Sequence, residues 1–114
     1  MGSIAQHITT QLLMLEGVTS APHRYGGVEF HVKGREIGHL HGDRMADIPF
    51  PKKVRDQLIA QGKAQPHHLL KDTGWISYYL HGQADIAPVL ELLRLNYRII
   101  TDRKAALSSL ISTP

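Results

Sequence analysis

The sequence predicts an α+β fold, a two-layer structure in which an antiparallel sheet of about five strands carries helices on one face. The expected order is α-β-β-β-α-β-β-α. Apolar residues recur with the helical period near both ends of the chain. Between them lie alternating apolar and polar segments, the period of half-buried strands. Short turns join those segments, which favours antiparallel pairing over alternating βαβ units. The 114 residues fit one domain spanning the whole chain and leave no room for a second.

Each element has its own local reason. Ile4, Ile8, Leu12 and Leu15 follow one helix face, and Gly17 stops that helix as a C-terminal cap. Ser20 to Gly27 is turn-rich, with room for a short strand. Val28, Phe30 and Val32 then alternate with Glu29, His31 and Lys33 as a strand would. Lys33-Gly34 reads as a two-residue hairpin turn, and Arg35 to His41 as the returning strand. Asp47-Ile48-Pro49-Phe50-Pro51 is extended, because each proline disfavours helix at the residue before it. Pro51 suits the first position of a helix with Val54 and Leu58 on one face and Gly62 as its stop. Gln65 to Leu69 is a possible short strand. Trp75 to Leu80 is an aromatic and β-branched run that reads as another. Asp85 is placed to cap a helix striped by Ile86, Leu90, Leu93 and Tyr97. The tail from Thr101 to Pro114 extends that helix or forms a separate short one.

Composition removes several function classes. The chain has no cysteine, which excludes disulfide scaffolds, thiolate zinc sites, iron–sulfur clusters and cysteine nucleophiles. Neither a membrane-length apolar run nor a signal-peptide pattern is evident, so the cytoplasm is the expected compartment and no membrane partner is expected. No Gly-x-Gly-x-x-Gly, Walker, His-Glu-x-x-His or Gly-x-Ser-x-Gly motif occurs. The net charge of +3 is a mild excess. Its densest stretch, Lys52 to Lys63, reads first as a solvated helix face.

The eight histidines are the unusual feature. An unbulged register through Lys33-Gly34 sets Phe30 opposite Ile37 and Val28 opposite His39, and opposed residues share a face. His39 and His41 then follow Ile37 onto the Phe30 side, at the edge of the core. Glu29, His31 and Glu36 fall on the other side, with Leu40. A slip of one residue would reverse this assignment. His39 and His41 emerge about 6 to 7 Å apart and parallel, a spacing at which two imidazoles can share a metal. Asp47 adds a carboxylate on a stiffened backbone, suited to a metal, to proton transfer or simply to a helix-start hydrogen bond. Zinc, nickel or iron would accept such nitrogen and oxygen donors. His23, Arg24, His67 and His68 are further candidates. If the segment after Pro66 is extended, only one of His67 and His68 can face the site. Trp75 reads as core or as a cleft wall.

Ala21-Pro22-His23-Arg24-Tyr25-Gly26-Gly27, Arg35-Glu36-Ile37-Gly38-His39-Leu40-His41, Asp47-Ile48-Pro49-Phe50-Pro51, Val54-Arg55-Asp56 and Gly74-Trp75 form a combination. Together they resemble small bacterial proteins of the "luciferase domain" family, a domain of unknown function, over about residues 18 to 100. The label implies no light emission, since no flavin or adenylate-forming motif accompanies it, and no catalytic residue or cofactor is carried over. More distantly, Pro66-His67-His68-Leu69 followed by Gly74-Trp75-Ile76-Ser77 is similar to a segment of YjbR-like proteins. That likeness implies a secretion-chaperone-like sheet with helices and, for some members, DNA binding.

Three functional expectations follow. The first is a binding module whose polar pocket is lined by His39, His41 and Asp47, with His23, Arg24 and His67 or His68 nearby. Its ligand would be a small anion or a divalent metal. The second is an enzyme using the same groups for acid–base or metal-assisted chemistry. The third is a protein or nucleic-acid interaction domain using the Lys52-to-Lys63 helix, whose DNA binding would be salt-dependent and lost on charge reversal at Lys52, Lys53 and Arg55.

Overall fold

The computed structural model describes residues 3–23 and 26–102. Helix α1 (Ile4–Leu13) is followed by strands β1 (Thr19–Pro22), β2 (Val28–Val32), β3 (Arg35–His41) and β4 (Met45–Pro49). Then come α2 (Lys52–Ala60), β5 (Gln65–Pro66), β6 (Trp75–Tyr79) and α3 (Ile86–Thr101). The six strands form one antiparallel sheet in the order β1-β2-β3-β4-β6-β5. The α+β class and the single helical layer are as expected, with one more strand than about five. The extra one is β4, where the proline-stiffened segment pairs on both sides instead of only leading into α2.

Local chemistry sets the boundaries. Ser3 and Gln6 form a reciprocal capping box at the start of α1. The helix ends at Leu13, earlier than Gly17, which instead sits in the following turn with φ +82°. Lys33 and Gly34 both have positive φ, 52° and 74°, as a type I′ hairpin turn demands. Pro51 occupies the cap position of α2 rather than its first turn, and contributes no side-chain bond. Asp85 precedes α3 but caps nothing in it; its carboxylate accepts from the His81 N–H and the Tyr78 hydroxyl. The expected strand Gln65–Leu69 stops at Pro66, because the His67 ring folds back on the backbone beyond it. α3 runs through Thr101, and the tail from Arg103 lies outside the described residues.

One apolar layer joins sheet and helices. Phe30, Ile37, Leu40, Ala46, Ile48 and Ile76 from the sheet meet Ile8 and Leu12 of α1, Val54 and Leu58 of α2, and Val89 and Leu93 of α3. All are nearly or fully sealed from water, so burial supplies the main drive for closing the layer. The hairpin register departs from the simple one. Val32 pairs with Arg35 and His31 with Glu36, but Phe30 then pairs with Gly38, Glu29 with His39 and Val28 with Leu40. Ile37 is the extra residue of a β-bulge. The bulge corrects the sequence expectation: Leu40 enters the core, while His39 and His41 turn to the face away from the helices. Gly38 fits because α3 lies close; a Cβ there would stand 2.8 Å from Leu93 Cδ2 and 3.0 Å from the Asp47 carbonyl oxygen.

Candidate functional site

The helix-free face carries a row of polar side chains fixed by strand pairing. His39 of β3 is directly opposite Asp47 of β4, and Asp47 is opposite Ser77 of β6, so the three share a face. Asp47 is only 1% exposed, and Ser77 is fully buried. Its Oδ1 accepts a hydrogen bond from Ser77 Oγ at 2.7 Å. Its Oδ2 meets three imidazole nitrogens: His41 Nε2 at 2.7 Å, His67 Nε2 at 3.3 Å and His39 Nε2 at 3.4 Å. The helix-start hydrogen bond considered for Asp47 is not its role; the carboxylate is the hub of the helix-free face.

Glu36 completes the arrangement. Its Oε2 lies 2.6 Å from His39 Nδ1, so one imidazole is bracketed by two carboxylates. Burial alone would push His39 down, but hydrogen bonds to Asp47 and Glu36, with the charges of both, raise it to about 9. Burial would likewise raise Asp47, yet hydrogen bonds from His39, Ser77 and His41 hold it well below the usual carboxylate range. At neutral pH His39 is therefore an imidazolium and Asp47 a carboxylate.

His67 differs from its neighbours in tautomer. Its Nδ1 accepts the backbone N–H groups of Leu69 and Leu70, each at 3.0 Å. A ring nitrogen that accepts cannot carry a proton, so the proton of neutral His67 sits on Nε2 and is donated to Asp47. Burial also pushes this imidazole down, which keeps it neutral. Coordinating a metal through Nε2 would require moving that proton to Nδ1, against two N–H donors.

The remaining predicted residues divide. His23 stacks on His39 with ring centroids 4.0 Å apart, and its Nε2 is 3.8 Å from Glu29. His68, exposed, stacks on His67 at 4.2 Å. The segment after Pro66 is a turn rather than extended, so both His67 and His68 come to the site side and the either-or expectation is corrected. Half-buried Trp75 is a wall, its ring 5.5 Å from His39 and 5.9 Å from His67. Arg24 lies outside the described residues. Of the basic helix, Arg55 is mostly buried, pairs with Asp56 at 2.6 Å and donates to the Lys71 carbonyl oxygen. The second contact ties α2 to the 67–74 strap, while Lys52 and Lys53 stand exposed.

Two groups of donors around Asp47 have metal-like spacing, His39–His41–Asp47 and Asp47–His67–His68, with ligand atoms within 4.8 Å of one another in each. The tautomer of His67 disfavours the second. The first fits better, because His39 has the carboxylate-backed Nδ1 that orients an Nε2 ligand. Ligand atoms around a tetrahedral zinc stand about 3.3 Å apart, near the 3.4 Å from His39 Nε2 to Asp47 Oδ2. Glu36 and Trp75 also line a hollow at the start of β3, and Ser77 lines another beside β5 and β6. The site is a cluster of imidazole rings around one buried carboxylate, with His41 partly and His68 more fully open to solvent.

Glu36 and Ser77 are site members that residue type and spacing do not mark. An unbulged strand places Glu36 on the face opposite His39, and no motif surrounds Ser77. Gly38 inside a strand was the available signal, since an interior glycine there marks a bulge or a close backbone approach.

Among the described residues no helix is long and apolar enough to cross a membrane. No curated protein and no solved structure matches the chain. Residues 34–96, from the hairpin turn through most of α3 and including His39, His41, Asp47 and His67, match the family model described as Luciferase domain. The chain belongs to the Luciferase domain family.

Proposed function

We propose that this domain binds a divalent transition metal through His39 Nε2, His41 Nε2 and Asp47. The observation that carries the reading is the convergence of these donors within 4.8 Å of one another, with Glu36 behind His39. Two imidazoles and one carboxylate suit zinc, nickel or ferrous iron, and leave coordination positions open. A small anion is the poorer ligand, since it would face the carboxylates of both Asp47 and Glu36. Metal uptake displaces the Nε2 proton of His39, so binding releases protons and weakens as pH falls.

The test is calorimetric titration with zinc and with nickel at neutral pH, in two buffers of different ionisation enthalpy. Saturable binding, proton release and loss of at least about tenfold in affinity in His39→Ala are expected. Absence of saturable heat, or binding unchanged in His39→Ala, would overturn the reading.

A second reading is proton transfer without metal, favoured by the two carboxylates on a single imidazole. It expects no metal-binding heat, and ring nitrogen shifts showing His39 protonated at both positions near neutral pH in a protein that still exchanges that proton with solvent.

A further inference from the structure

A separate hollow of about 480 Å³ lies where β3 begins, β4 ends and the last turns of α3 cross the sheet. Its volume is within the range of small-molecule sites. Phe50, Trp75, Ile99 and Ile100 supply apolar and aromatic walls, and Arg35 and Glu36 stand among its lining residues. Asn96 also lines it and is 1% exposed.

The amide of Asn96 is oriented without ambiguity. Its Nδ2 donates to the carbonyl oxygens of Ile37 at 2.8 Å and Pro49 at 3.0 Å. Carbonyl oxygens only accept, so the nitrogen must be on that side and Oδ1 on the other. Oδ1 accepts no hydrogen bond among the described residues, yet it is not among the sealed, unsatisfied atoms. Asn96 itself lines the hollow, which is the side from which a ligand donor would reach that oxygen. A buried amide held by two carbonyls and left with a free acceptor is costly unless water or a ligand completes it. Arg35, exposed to solvent, lines the same hollow and supplies a cation there.

We infer that this hollow binds a small amphipathic organic acid carrying an O–H or N–H donor. The donor satisfies Asn96 Oδ1, the apolar body lies against Trp75 and Ile99, and the carboxylate pairs with Arg35. The inference does not require metal at His39, His41 and Asp47. It does place a ligand beside Glu36, whose Oε2 holds His39 Nδ1 at 2.6 Å, so occupancy would be felt at the histidine cluster through one carboxylate.

Trp75 is the only tryptophan of the chain, so its fluorescence, excited at the red edge of its absorption, reports the hollow directly. The probes are 4-hydroxyphenylacetate, which has the donor, and 4-methoxyphenylacetate, which lacks it. Saturable quenching by the first is expected, with affinity about tenfold weaker for the second. Arg35→Gln, an exposed substitution that leaves the core intact, should weaken the first probe about fivefold. Movement of the Asn96 side-chain amide resonances on titration identifies the site. Equal affinity for the two probes, binding that leaves Trp75 and Asn96 unchanged, indifference to Arg35→Gln, or no saturable binding of either probe would each overturn the inference. None of these outcomes depends on the metal titration.

Discussion

Glu36 Oε2 lies 2.6 Å from His39 Nδ1 although the two residues stand three apart on one strand. In a regular strand an odd separation places side chains on opposite faces. Ile37, the extra residue of the bulge, removes that alternation and brings both onto the helix-free face. The same bulge leaves Ile37 buried in the core. One irregularity therefore supplies both a core side chain and the carboxylate that orients a histidine.

Replacing Glu36 by Gln keeps an acceptor for His39 Nδ1 and removes the charge. Both the hydrogen bond and the charge of Glu36 raise His39, so the titration midpoint of the His39 Cε1–H resonance should fall from about 9 by about one unit. Asp47 continues to support the ring, so the midpoint should stay above that of an ordinary histidine. An unchanged midpoint would show that Glu36 does not act on His39 in solution.

Stability of the metal-free protein should peak near pH 6.5, and the sign differs for each group. His39, raised from 6.5 to about 9, stabilises fully below about 6.5 and loses that contribution as pH rises through about 9, on the order of 3 kcal/mol. His67 is lowered, so its contribution is present above 6.5 and is lost as pH falls below it. Asp47 is lowered from 3.8 and adds a further loss as pH drops through and below that value. Urea unfolding from pH 4 to pH 10 measures the curve. A profile that climbs steadily from 6.5 to 10 would contradict the state assigned to His39.

Much of this architecture is legible in the chain, and what is not has a common cause. Helical stripes, the Lys33-Gly34 hairpin, the Trp75 strand and the choice of His39, His41 and Asp47 all follow from period and residue type. The face of those residues does not, because face depends on register and a single bulged residue inverts it. The partnership of Asp47 with Ser77 spans two strands not joined by a hairpin, so no local spacing announces it. The His67 ring accepts two backbone N–H groups of the turn that follows it, a side-chain effect that a strand period conceals.

Gly38 tests how tightly the bulge is held. An added methyl would meet Leu93 Cδ2 at 2.8 Å and the Asp47 carbonyl oxygen at 3.0 Å. The leucine can shift but the backbone of β4 cannot do so without moving Asp47. Gly38→Ala should therefore destabilise the fold by about 1–3 kcal/mol and disturb the resonances of His39 and His41. A neutral effect in thermal unfolding would mean that α3 sits farther from the sheet than described.

His67 allows its two hydrogen-bonding roles to be separated. The side-chain oxygen of Asn reaches about where Nδ1 sits, and turns of that kind suit asparagine well. The amide nitrogen of Gln reaches about where Nε2 sits. His67→Asn should then keep the acceptor for the Leu69 and Leu70 N–H groups and lose the donor to Asp47. His67→Gln should do the reverse. Amide hydrogen exchange reads the first role: Leu69 and Leu70 stay protected in His67→Asn and exchange faster in His67→Gln. The His39 titration reads the second: with one donor fewer on Asp47, that carboxylate draws more strongly on His39, and the midpoint rises in His67→Asn but holds in His67→Gln. If both variants expose the strap and shift His39 alike, the ring acts only as packing and the fixed tautomer carries no role.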